Sequence, residues 1–331
     1  MLKTRITELL GIRYPILMGG MQWISCAEMV SAIANAGGIG FIPAASFETI
    51  EKLRDEIRRT RDMTDGPVGL NISMLPELQE GELTMGYLEL GIDERVSAFE
   101  TAGRSPEMLI ERAKKANIPL IHKVPQVRFA QKAEEVGADA VIIVGFECGG
   151  HPGMMDVTSM ILINKAARSL TIPVIAAGGI ACGRGLVAAL ALGAEGVVMG
   201  TRFMASKEAK LHQNFKDWMI NASENDTTVL LRSIRNPMRV MNNETAKTVR
   251  EIEARGTTLS EIITFASGKV GREAYASGDT ERGVIAMGEC VGLIDEVKSI
   301  REIVDDIVDE ARDVMDHLHT IIQSKEGEEH V

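Results

Sequence analysis

From Pro15 to about Phe203 the chain alternates short, unbroken apolar runs with amphipathic stretches, joined by Gly, Pro or Asp. The apolar runs predict strands at Pro15–Met18, Ile39–Ile42, Val68–Ile72, Val96–Glu100, Leu120–Val124, Ala140–Val144, Pro173–Ala176 and Gly196–Met199. Between them, helical periodicity predicts helices over 26–36, 48–61, 82–90, 106–116, 126–136, 160–170 and 185–192, with an unusually long loop before the sixth. The strand runs do not alternate with polar residues, so both faces should be buried, as in a parallel sheet flanked by helices. Eight strand–helix units close a TIM (β/α)8 barrel, an α/β fold; a doubly wound open sheet would usually have fewer strands.

After Phe203 the pattern changes. Residues 207–282 show helical patterns at Gln213–Ala222, Thr228–Ile234 and Asn242–Ala254 without strand runs, which predicts an appended C-terminal helical subdomain. A glycine-rich return over 283–292 then leads to a final helix, about 295–323, expected to pack back on the barrel. The expected division is therefore a barrel over 1–206, a helical subdomain over 207–282 and a returning segment over 283–331, with a frayed KEGEEHV end.

The 331 residues are 45% hydrophobic, 25% charged and 4% aromatic, a balance that excludes disorder of the whole chain. The formal net charge is −11 and there is no basic tract, so nothing draws the chain to nucleic acid or an anionic membrane. Four scattered cysteines have no C-x-x-C pair and no metal-ligand spacing with the six histidines, so no metal is expected. The first sixteen residues lack a continuous apolar core, and no run is long enough to span a membrane. The expectation is a cytoplasmic protein, with homodimerisation through the last helix left open.

In a barrel of this kind, ligands bind where the strands end. Those ends read Gly19-Gly20-Met21-Gln22, Asn71, Glu100-Thr101-Ala102-Gly103, His122-Lys123, Gly145 to His151, Ala177-Gly178-Gly179 and Gly200-Thr201. Glycines after the seventh and eighth strands let backbone N–H groups approach a phosphate. His151, flanked by glycines and Pro152, titrates near neutral pH and could donate a hydrogen bond or move a proton. Alternation turns Lys123 into the mouth as a positive charge and His122 the other way, as a structural histidine. Gln22 and Asn71 suit a polar heterocycle or loop backbone equally, Met21 could pack on a flat ring, and Cys148 reads as a bystander. Glu147 faces either the site or a local partner.

These motifs resemble the nitronate monooxygenase (2-nitropropane dioxygenase) family of FMN-dependent barrels, which includes flavin-containing enoyl-ACP reductases. The matching pieces run through essentially the whole chain: Gly19 to Trp23, Asn71 with Leu75-Pro76, Thr101-Ala102-Gly103 with Pro106, His122-Lys123, Gly145 to Gly153, Ala177-Gly178-Gly179 and Met199 to Phe203. Within the family the pattern is similar to the bacterial NADH:quinone reductase subgroup, with Val144 in place of an expected Asp and Gly149 in place of an expected Ala. The resemblance implies FMN with its phosphate on Gly178, Gly179, Gly200 and Thr201, and its ring near Gly20, Met21, Gln22, Asn71 and Lys123. Gly149, Gly150 and Met199 would complete the cofactor site. It makes His151 and Lys123 the catalytic pair, with Lys123 at the N1–C2=O edge of the ring, and Leu75-Pro76 a substrate gate. The implied reaction takes hydride from NAD(P)H and passes the electrons to a quinone; oxidation of alkyl nitronates with O2, and enoyl-ACP reduction, are the alternatives.

Overall fold

The computed structural model describes residues 2–74, 82–256 and 259–323. Eight parallel strands close on themselves in chain order. They are β1 (Ile16–Met18), β2 (Ile39–Pro43), β3 (Val68–Met74), β4 (Ala98–Gly103), β5 (Leu120–Val124), β6 (Ala140–Val144), β7 (Val174–Ala177) and β8 (Gly196–Met199). β1 pairs with both β2 and β8, Met18 standing opposite Gly40 on one side and Met199 on the other, which seals the TIM barrel. All strand residues up to the mouth are buried, as the non-alternating runs require.

A first helix, α1 (Arg5–Leu10), precedes β1 and has no counterpart in the sequence reading. The barrel helices are α2 (Ala27–Asn35), α3 (Ile50–Arg61), α4 (Glu82–Asp93), α5 (Glu107–Lys115), α6 (Val127–Glu135), α7 (Ser159–Ser169) and α8 (Gly183–Ala191). Inside the barrel lie Leu17, Ile39, Phe41, Ala98, Ile121, Ala140, Ile142, Val144, Ile175, Ala177 and Val198, continuous with Ile6 and Leu10 of α1. A larger apolar layer fills the space between strands and helices. Val144, where a carboxylate was expected, is therefore part of the apolar interior.

Beyond β8 follow α9 (Thr201–Met204), α10 (Gln213–Asn221), β9 (Thr227–Leu230), β10 (Met238–Met241), α11 (Glu244–Ala254), α12 (Leu259–Ala266), α13 (Gly268–Ser277) and α14 (Ile300–Gln323). The helix expected at Thr228–Ile234 is instead β9, paired antiparallel with β10. The reason is local and tertiary together. Thr227-Thr228-Val229 is β-branched, and pairing places Leu230 and Val240 on Val249, Ile252 and Ile262 in a second small core. The final helix starts at Ile300 rather than Asp295, because Ser299 and Glu302 form a reciprocal cap: Ser299 N–H donates to Glu302 Oε2 (2.7 Å) and Glu302 N–H to Ser299 Oγ (3.3 Å). Its buried face, Ile300, Ile303, Val304, Ile307, Val308 and Ala311, belongs to the layer shared with α8 and α2. Among the described residues no helix is long and apolar enough to cross a membrane.

Candidate functional site

Strand parity decides which side chains reach the mouth. On β5, Ile121 faces the barrel interior, so Lys123 two residues on faces the same way at the strand's end. On β4 the same parity carries Ala98 to Glu100, and on β3 it carries Gly69 to Asn71. The three meet. Lys123 Nζ lies 2.6 Å from Glu100 Oε1, and the Gly20 N–H donates to Glu100 Oε2 (3.2 Å). Gly20 sits so close to Asn71 that a Cβ there would fall 2.5 Å from Asn71 Cβ.

Lys123 is thus the positive charge expected in the mouth, but paired with a carboxylate to which the sequence reading gave no role. Glu100 has no exposed surface, while the Lys123 side chain keeps 30%. Desolvation works to lower the lysine pKa, but the adjacent carboxylate prevails and holds it above its ordinary value. The carboxamide of Asn71 is buried at 3% exposure, and its Nδ2 has no hydrogen-bond partner among the described residues. An orphaned donor in a buried position calls for a ligand acceptor.

The seventh and eighth strand ends supply a second half. Gly178 and Gly179 adopt φ of +96° and +74°, left-handed conformations that favour glycine. Neither their amides nor that of Gly200 makes a hydrogen bond among the described residues. Three N–H groups at the ends of neighbouring strands β7 and β8 are thus left available, the kind of donors an anion takes. The Thr201 side chain is committed elsewhere: it accepts a hydrogen bond from Gly288 N (3.0 Å), tying the glycine-rich return to the end of β8. Met199 ends the strand buried, its carbonyl accepting from Gly19 N (3.2 Å). Met21 is half-buried beside Gly200.

The remaining expected residues are dispersed in role. Gln22 is exposed and donates to the Ala45 carbonyl (3.3 Å). Gly149 rests against the Met287–Gly288 backbone, and the Gly150 N–H is used by the Arg239 carbonyl (3.0 Å). Leu75 and Pro76 lie outside the described residues. His151 is exposed and has no hydrogen-bond partner among the described residues. The walls of the mouth nevertheless crowd its ring, and this desolvation, followed by the Lys123 ammonium, lowers its pKa. The neutral ring can both donate and accept.

His122 points away between strands and helices, its Nδ1 2.8 Å from Thr101 Oγ1, with burial and then Lys123 pushing it down to about 4. Cys148 joins the apolar lining, and burial drives its thiol up to about 12, so it stays protonated. Of the two readings of Glu147, the structure shows the local partner. Both its oxygens accept from Ser159 N (3.0 Å each), satisfying the start of α7.

Three residues of consequence lacked an assigned role in the sequence reading. Glu100 was visible as a strand end, and its signal was a charge inside an otherwise buried run. Arg239, 4% exposed on β10, donates to the Phe146 carbonyl (3.0 Å), pairs with Glu289 (2.9 Å) and lies over the Phe146 ring at 4.4 Å. Only the β9–β10 hairpin brings it to the mouth loop. Trp23 holds φ of +68°, and its buried Nε1 has no partner among the described residues; Arg272 of α13 stacks on its ring at 4.9 Å.

Set against known proteins, residues 3–310 match the family model described as nitronate monooxygenase. An octahydroindene-carboxyl-CoA dehydrogenase of Mycobacterium tuberculosis is 32% identical, covering 96% of this chain and 98% of that protein. A probable nitronate monooxygenase of Staphylococcus saprophyticus is 31% identical over 95% of this chain and 99% of its own length. Among solved structures, FabK from Thermotoga maritima superposes with a TM-score of 0.90 at 38% identity, covering 97% of this chain and all of that one.

Proposed function

Because the chain belongs to the nitronate monooxygenase family of flavin-dependent oxidoreductases, we propose that it binds FMN at the barrel mouth and uses NAD(P)H to reduce a conjugated carbonyl compound, a quinone first among them. The residues fit such a group. The free amides of Gly178, Gly179 and Gly200 would take its phosphate, and the orphaned Asn71 Nδ2 and the Lys123 ammonium would meet the polar edge of its ring. When bound, FMN supplies the hydride and electron chemistry that no side chain of this chain can.

The chain's own contribution is positional and electrostatic. Lys123 would hold positive charge beside the polar edge of a bound flavin, in a mouth walled by apolar Val144, Ala177 and Val198. His151 carries the reductase reading: it is open to solvent and without an internal partner, and it is held neutral. Its N–H can donate a hydrogen bond to the substrate carbonyl oxygen, while the proton for the product comes from the solvent to which the ring is open. Met21 would fill space beside the ring near Gly200. Arg239 and Glu289 hold the Phe146 loop that presents His151.

Two further readings rest on the likenesses. The staphylococcal relatives favour oxidation of an alkyl nitronate with O2. The likeness to the mycobacterial dehydrogenase along nearly the whole chain favours a thioester among the carbonyl substrates. Anaerobic mixing separates them. Flavin bleached by NADH or NADPH and recoloured by a quinone supports the reductase; recolouring by an unsaturated thioester instead moves the acceptor to that class. Flavin that stays oxidised with both nicotinamides but bleaches with a nitronate overturns the reductase. Failure of the protein to retain FMN in an equilibrium titration overturns the cofactor reading.

A further inference from the structure

Glu100 is the most completely buried carboxylate at the mouth, with 0% exposure, and its partners among the described residues are Lys123 Nζ and Gly20 N. Placing a carboxylate there is costly unless the charge does something the fold needs. The apolar interior directly beneath, with Ala98, Ile121 and Ile142, shows that the barrel closes without charge. The carboxylate instead occupies the layer where the ligand-facing groups begin. In the sheet register Asn71 stands opposite Glu100, and Lys123 stands opposite Ala102, two residues further along β4. Left to itself the lysine would extend from the end of β5 into open solvent; the 2.6 Å bond draws its ammonium back over the interior. Glu100 also receives the Gly20 amide, so one side chain fixes the β1 loop and the cation together.

We propose that Glu100 is a positioning residue which holds the Lys123 ammonium over the barrel mouth and offsets its charge, and so sets the reduction potential of the bound ring. This rests on the FMN reading above. The ammonium spends one of its three donors on Glu100 and keeps two for a ligand. With the carboxylate present, the mouth near the ring is close to neutral. Without it, an uncompensated cation in a poorly screened site would stabilise the anionic reduced ring far more. The fold thus keeps a lysine for geometry while limiting how strongly it favours the reduced state.

The test begins with an equilibrium FMN titration of the intact wild-type protein, whose failure would count against the flavin reading and not against Glu100. Spectroelectrochemical titration of FMN-loaded Glu100→Gln follows. Gln keeps the side chain's shape and one acceptor oxygen, which can serve either Lys123 or the Gly20 N–H, and removes the charge. The potential should move positive, raising the reduced-to-oxidised ratio at a fixed applied potential by about tenfold. Glu100→Asp, which keeps the charge, should return most of the way to wild type. Lys123→Met should move the potential in the negative direction, and it serves as the alternative variant if Glu100→Gln does not fold. FMN bound by Glu100→Gln with an unchanged potential, even if the melting temperature falls, would reduce Glu100 to a structural strut and overturn the proposal. An unchanged potential in Lys123→Met would overturn it equally.

Discussion

At the N-terminal end of the barrel, α1 lays Ile6 and Leu10 across the strand openings, and the polar side chains of its first turn have partners. Thr4 and Thr7 cap the helix reciprocally, Thr4 Oγ1 donates to the Glu195 carbonyl (2.7 Å), and Arg5 is held by the Glu195 carboxylate and the Thr171 carbonyl (2.6 Å). At the C-terminal end the same eight strands finish among groups that have no partner among the described residues: the Asn71 amide, three glycine amides, the indole N–H of Trp23 and His151. Buried polar atoms without partners are normally rare, so their concentration at one end supports the proposal that this face takes the ligand. The closed end spends its residues on stability; the open end carries left-handed glycines and orphaned donors, as a face that binds a ligand would.

That contrast can be broken most forcefully at the plug. Leu10→Ala should cost about 2–5 kcal/mol of stability in a denaturant titration, while kcat/KM of the folded enzyme stays at the wild-type value. A large change in kcat/KM with intact folding would mean the ends are not independent. His122 offers a pH-dependent version, because it lies below the mouth groups and is held neutral by burial. Its folded pKa, about 4, lies below the ordinary 6.5, so the unfolded chain binds the proton first. Its stability contribution is complete above about pH 6.5 and is lost as pH falls toward 4, by about 3 kcal/mol in all. His122→Gln should flatten the acid limb of a stability–pH curve by that amount; an unchanged limb would place the acid sensitivity elsewhere.

Two variants sharpen the open end. His151→Ala should lower turnover about a hundredfold, with stability within about 0.5 kcal/mol of wild type, since the side chain is exposed and unbonded. Steady-state rates with the preferred substrate pair and a thermal melt check both halves. The smallest effect is expected at Gly178→Ala, where φ of +96° strains any side chain. About 1–2 kcal/mol should be lost, and FMN affinity should fall about tenfold by fluorescence titration. Unchanged affinity would remove the glycine pair from the phosphate site.

How far the sequence was legible follows the range of the forces involved. β5, β6 and β8 have the bounds that their apolar runs predict, because an unbroken buried run between turn residues leaves little freedom. The opposed orientations of His122 and Lys123 followed from alternation alone. The hairpin was misread, because Thr227–Leu230 becomes a strand through its pairing with Met238–Met241, and that second strand is in turn bridged through Arg239 to the distant loop at Gly150. The start of α14 depended on a two-residue cap that a wider periodic pattern obscured.

The sequence by itself determined the eight-unit barrel and which side chains its strand ends turn toward the mouth, since periodicity and strand parity are local properties. Only the tertiary structure decided their electrical state. Whether Lys123 stands alone or paired depends on β4 and β5 lying side by side with Glu100 one pleat below. Whether an amide such as that of Gly150 is free or spent depends on a hairpin folded back from beyond residue 227. Charge compensation and hydrogen-bond satisfaction are properties of neighbours in space, and spacing along the chain does not encode them.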